Sequence, residues 1–118
     1  MSDPSIAAVM VHVSSVQEGL AWYSRAFPSA VRRIFPGSHS EYLAVGNVRL
    51  EFVPSDTKVS SGPCGTVVYW SVPQFEQALD HLQSLGARLY RGPLAIEAGQ
   101  SMCQVQDPWG NCIGLRGP

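Results

Sequence analysis

The sequence predicts an α+β fold built from two βαβββ modules, on three observations. Its 118 residues fit one compact domain of ordinary size. The order strand, helix, strand, strand, strand can be read twice along the chain. The helical regions of the two halves match at an offset of 59, pairing Val13 with Val72, Val16 with Phe75 and Leu20 with Leu79. Module one is expected over about 6–54 and module two over about 65–117, joined by the polar stretches after Pro54 and Ser60.

Each element has its own local cause. In residues 7–13, Val9, Val11 and Val13 alternate with Ala8, Met10 and His12, a period of two that means a strand. Ser15 is a helix N-cap candidate, and Val16, Leu20, Tyr23 and Phe27 follow at helical spacing until Pro28 stops them. Trp22 and Tyr23 on this helix are expected to pack in the core. Residues 30–35, 40–45 and 47–53 read as three strands. Pro36-Gly37 turns the first, and Gly46-Asn47 makes a tight hairpin between the other two. In the second half, 66–72 is a strand and 74–85 a helix with Phe75, Leu79 and Leu82 on one side, ended by Gly86. Residues 87–91 return as a strand halted by Gly92-Pro93. Residues 101–106 and 112–115 complete the set around the turn Asp107-Pro108-Trp109-Gly110-Asn111.

Composition limits the function. A hydrophobic fraction of 45% with 14% charged residues is globular, not disordered. A formal charge of −1, with Arg32-Arg33 the one basic doublet, argues against a nucleic-acid partner. No apolar run reaches the roughly 18 residues of a membrane span. The start, Met1-Ser2-Asp3-Pro4, has an acid and no basic residue, unlike a signal peptide. Three cysteines without C-x-x-C read as reduced thiols, so a cytoplasmic location is expected and a structural zinc site is not. Motifs for a nucleophile elbow or a nucleotide cradle are absent.

VHVSSVQEGLAWYSRAF, SVPQFEQALDHLQSLGARLYRGP and above all DPWGNCIGL carry a resemblance over nearly the whole chain. The doubled module resembles the vicinal-oxygen-chelate superfamily, which includes glyoxalase I, extradiol dioxygenases and bleomycin-resistance proteins. The resemblance implies that the two sheets curl into an open, incomplete barrel with helices outside and a ligand groove within. Metal-dependent members place ligands on the first and last strands of each module. Carried over by position, these fall on Ala8, Glu51, Val67 and Gly114. Only Glu51 can donate to a metal, and such sites need about three or four N/O donors. No metal or other cofactor is therefore expected. A shifted pair of His12 and Glu51 is the alternative, but neither His81 nor His39 supplies a second-module partner.

By alternation the groove face carries Met10, His12, Arg49, Glu51, Tyr69, Ser71 and Cys112. Val9, Val11, Leu50, Phe52, Val68, Trp70, Ile113 and Leu115 fall on the opposite face and are expected to pack under the helices. Candidate ligand-binding residues are His12, Arg49, Glu51, Tyr69, Trp109 and Cys112. Glu51 is the candidate general base if the protein is an enzyme. Trp109 has the flat ring to stack on a planar ligand, and equally to pin its own hairpin. Arg91, before Gly92-Pro93, is a loop cation that either faces an anionic ligand or is simply solvated. The resemblance to the bleomycin-resistance branch implies a metal-free protein that sequesters a planar or aromatic small molecule, usually as a homodimer. The alternative is a lyase, isomerase or dioxygenase using Glu51 and His12, with or without a divalent metal. A third possibility is an interaction module whose groove is filled by its own side chains.

Overall fold

The computed structural model describes residues 5–118. The acidic start at 1–4 lies outside the described residues. The chain divides between Ser60 and Ser61 into two compact units, each a βαβββ module.

The first unit holds β1 (Ala8–Val13), α1 (Val16–Ala26), β2 (Val31–Ile34), β3 (Glu41–Val45) and β4 (Val48–Pro54). Its sheet has the order β1-β4-β3-β2, with β1 parallel to β4 and the other pairs antiparallel. Ser15 caps α1 by accepting the Glu18 N–H at 3.3 Å, which satisfies one of the four free donors at a helix start. The buried stripe of α1, Gly19, Leu20, Trp22, Tyr23 and Ala26, lies against the sheet. Glycine at 19 lets the helix approach closely, since a Cβ there would stand 3.1 Å from the Phe52 ring. Tyr23 packs on Phe52 with ring centres 5.1 Å apart, and Val13, Leu43 and Leu50 complete this core. The β3–β4 hairpin turns at Gly46-Asn47 as expected, with Gly46 at φ 58 and Val45 paired to Val48.

The second unit repeats the plan with β5 (Val68–Ser71), α2 (Phe75–Ser84), β6 (Arg88–Ala95), β7 (Ser101–Gln106) and β8 (Cys112–Gly117). Its order is β5-β8-β7-β6, again with the first and last strands parallel. In both units the first strand pairs with the fourth, so the repeated pattern in the sequence is a repeated topology. Each sheet keeps two edge strands, and neither closes into a barrel. Gly86, at φ 94, ends α2 in a Schellman motif: its N–H reaches the Gln83 carbonyl, and the Ala87 N–H reaches that of Leu82. Phe75, Leu79, Leu82, Cys103, Val105, Ile113 and Leu115 are buried in this unit.

Three expectations need correction. The strand expected over 87–91 does not stop at Gly92-Pro93; β6 runs through to Ala95 with two register shifts against β7. It tolerates proline because it is an edge strand, where a missing N–H need not break a ladder bond. Gly92 is required there, since a Cβ would stand 2.9 Å from the Met102 carbonyl oxygen at a φ of 84. The strand expected over 66–72 is shorter, Val68–Ser71, so Val67 precedes it. Val68, expected to be covered by the helix, is 37% exposed because β5 is an edge strand. A short 3₁₀ turn at Glu97–Gly99 was not foreseen. Among the described residues, no helix is long and apolar enough to cross a membrane.

Candidate functional site

Each sheet has one face under its helix and one open face. In the first unit the register pairs Ala8 with Arg49, Met10 with Glu51 and His12 with Val53. Paired residues share a face, so Ala8, Met10, His12, Arg49 and Glu51 lie together opposite the buried Leu50 and Phe52. Met10 is 58% exposed there. His12 and Glu51 are diagonal neighbours across β1 and β4. The Asp56 carboxyl is held below the usual carboxylate range, first by the N–H groups of Val59 and Lys58 and to a smaller extent by His12.

The same face carries groups that alternation along β2 and β3 brings to it. Tyr42 is paired with Arg33, and Ala44 with both Val31 and Arg49. Phe35 and Tyr42 have ring centres 4.7 Å apart. The Arg49 guanidinium lies 4.7 Å from the Tyr42 ring centre and 5.5 Å from that of Phe35. A cation over an aromatic face is held by the ring quadrupole. A cavity of about 410 Å³ shares Phe35 with this cluster and Glu51 with the open face, while Val16 and Leu20 of α1 and Phe52 wall it from the helix side of the sheet.

In the second unit the open face is built around a glycine. Tyr69 on β5 is paired with Gly114 on β8, which is paired with Gln104 on β7. The Tyr69 ring lies across Gly114 so closely that a Cβ there would stand 2.5 Å from the ring carbons Cγ and Cδ2. The Tyr69 hydroxyl accepts a hydrogen bond from the Gln104 amide at 2.9 Å, and the Arg116 guanidinium stands 5.7 Å from the ring centre. Ser71 and Cys112 share this face. Trp109 is half-buried in the turn before β8, and its backbone N–H donates to Asp107 Oδ1 at 2.8 Å. Arg91 is exposed on β6, not in a loop.

The metal-ligand positions of the resembled family therefore hold one donor. Glu51 is on the open face. Ala8 and Val67 carry hydrocarbon, and Gly114 has no side chain and lies under a phenol ring. Among the described residues, no three His, Cys, Asp or Glu side chains gather in a way that could hold a metal ion. This donor set does not fit a divalent cation of the kind metal-dependent members use.

The thiols differ in surroundings. Cys64 is exposed, Cys112 half-buried and Cys103 buried. Burial pushes the Cys103 thiol up. Cys112 is raised first by burial, then by the neighbouring Asp107 carboxylate and by Cys64. Ellman's reagent at neutral pH is expected to label Cys64 first, Cys112 slowly and Cys103 only on unfolding. Because folding raises both pKa values, their contribution to stability is complete below the ordinary thiol range. It is lost as pH rises through the raised values, so denaturant midpoints should fall in alkaline buffer.

Phe35, Tyr42, Gln104 and Arg116 were not among the expected site residues. Alternation within EYLAV and SMCQVQ, applied to the third strand of each module, would have placed Tyr42 and Gln104 on the open faces.

The chain belongs to the glyoxalase/bleomycin resistance protein/dioxygenase superfamily, whose family model matches residues 5–115. Solved structures share the fold. A family enzyme from Burkholderia phytofirmans PsJN superposes with a TM-score of 0.74 at 16% identity, covering 94% of this chain and 96% of its own. An integron cassette protein from V. cholerae gives 0.71 at 17%, covering 99% and 97%. A fosfomycin resistance protein from Mesorhizobium loti gives 0.73 at 12%, covering 100% and 94%. No curated protein matches the sequence.

Proposed function

We propose that this chain is a metal-free small-molecule-binding protein of the superfamily, in the manner of its bleomycin-resistance branch. It takes a planar or aromatic ligand on the open faces of its sheets and works in the cytoplasm as a homodimer, with no nucleic-acid or membrane partner. The observation that carries this reading is the Tyr69 ring lying over Gly114. Where metal-dependent members supply their last carboxylate, this chain presents an aromatic surface. That ring is fixed by Gln104, and the other open face has its own aromatic pair, Phe35 and Tyr42, under Arg49. Ligand pockets are commonly lined this way, with apolar and aromatic walls and a few polar groups that set orientation. His12, Glu51, Cys112 and Trp109 are the remaining polar and aromatic contacts in this proposal.

A thermal-shift screen of untagged protein against planar aromatic compounds tests it. A ligand that binds the native state raises the melting temperature. At least one aromatic compound is expected to do so in the presence of a chelator. If no compound raises it, the reading fails. The presence of Glu51 and His12 on one face supports a second reading, an enzyme with Glu51 as base. In that case Glu51→Gln would abolish conversion of a bound compound, whereas a sequestering protein returns its ligand unchanged.

A further inference from the structure

The cationic groups of the first unit are not equivalent. Arg32 has its fork committed: its Nε and Nη2 donate to the two carboxylate oxygens of Glu41 at 3.2 and 3.0 Å. Arg33 and Arg49 make no hydrogen bond or ion pair among the described residues, and both are exposed on the open face. Arg49 is nevertheless positioned, because its guanidinium lies against Tyr42 and Phe35. A cation–ring contact uses none of the guanidinium's capacity for hydrogen bonds to an anion. Its N–H edge matches a carboxylate in two parallel hydrogen bonds. Arg33 is the cross-strand partner of Tyr42, so the two cations stand on the strands to either side of the one that carries Tyr42.

Phe35 and Glu51 also border a cavity of about 410 Å³ at the margin of this face, whose remaining walls include Val16 and Leu20 of α1 and the helix-side Phe52. Glu51 lies two residues along β4 from Arg49 on the same face, about 6.6 Å away at strand spacing. It makes no hydrogen bond or ion pair among the described residues. A free carboxylate at that distance repels a second anion and accepts from a hydroxyl or amino group.

We infer that the first sheet binds a planar aromatic carboxylate. Its carboxylate meets the N–H edges of Arg49 and Arg33, its ring lies along Phe35, and a hydroxyl at its far end donates to Glu51. This rests on the ligand-binding reading above and names the ligand class for that face.

The test uses 4-hydroxybenzoate and its neutral methyl ester as probes, followed by amide chemical shifts on the full chain. The acid is expected to bind at least tenfold more tightly than the ester, with shifts centred on Arg33, Phe35, Tyr42, Arg49 and Glu51. The preference should shrink as salt is added. In the R33Q/R49Q double variant, whose changes are at exposed positions, the preference should vanish while the fold is kept by circular dichroism. Equal binding of acid and ester, or a preference that survives in the double variant, overturns the inference while leaving aromatic binding itself intact. Absence of binding by either probe also overturns it. The wider aromatic screen then decides separately whether the protein binds small molecules at all.

Discussion

Replacing Gly114 with aspartate, the change that restores a carboxylate at the last metal-ligand position, is expected to destabilise the protein by roughly 3–5 kcal/mol and to create no metal site. The cause is steric first. The new Cβ would stand 2.5 Å from Tyr69 Cγ and Cδ2, and the ring cannot move without breaking its hydrogen bond from Gln104. The second cause is desolvation, since Gly114 is buried and the added carboxylate would lose its hydration there. Gly114→Ala separates the two causes, because it has the clash without the charge. Combining Gly114→Asp with Tyr69→Ala removes the ring and should recover a large part of the loss. Urea denaturation of wild type, Gly114→Asp, Tyr69→Ala and the double variant measures this as a double-mutant cycle with strong coupling between positions 69 and 114. Full additivity would mean that the ring does not occupy that space.

Replacing Asp107 with alanine should cost about 2–4 kcal/mol through a different mechanism. Asp107 is 1% exposed. Its Oδ1 accepts the backbone N–H groups of Trp109 and Asn111, both at 2.8 Å, and its Oδ2 accepts the Asn111 side-chain amide at 3.0 Å. Asn111 in turn accepts the Gly62 N–H through Oδ1 at 2.9 Å, so the turn also holds the segment that leads into β5. Alanine leaves these donors without acceptors in a partly buried place. Asparagine keeps one oxygen and should lose less than alanine. Urea midpoints for the two variants check this, and an alanine variant as stable as the asparagine one would contradict it.

These two residues show what the sequence made legible. The turn Asp107-Pro108-Trp109-Gly110-Asn111 is a local motif whose side chain and backbone satisfy each other within five residues, so spacing alone reveals it. The repeat was legible for the same reason: strand and helix periods are properties of short windows. Gly114 could be assigned by position as a place without a ligand, but not as a place filled by Tyr69. That contact joins residues far apart in the chain and depends on the β5–β8 register. The Arg49, Tyr42 and Phe35 cluster is likewise a product of pairing among three strands. The extension of β6 through Gly92 and Pro93 was missed because local turn chemistry was outweighed by pairing with β7 along an edge.

Metal-free binding requires that the first-and-last-strand positions, with Glu51 their one donor, hold no cation. The direct measurement is elemental analysis of the untagged protein after incubation with zinc, nickel, manganese and ferrous iron in turn, then exhaustive dialysis. Far less than one metal equivalent per chain is predicted for each ion. One equivalent of any of them, lost on changing Glu51 to alanine in a protein that remains folded, would contradict it.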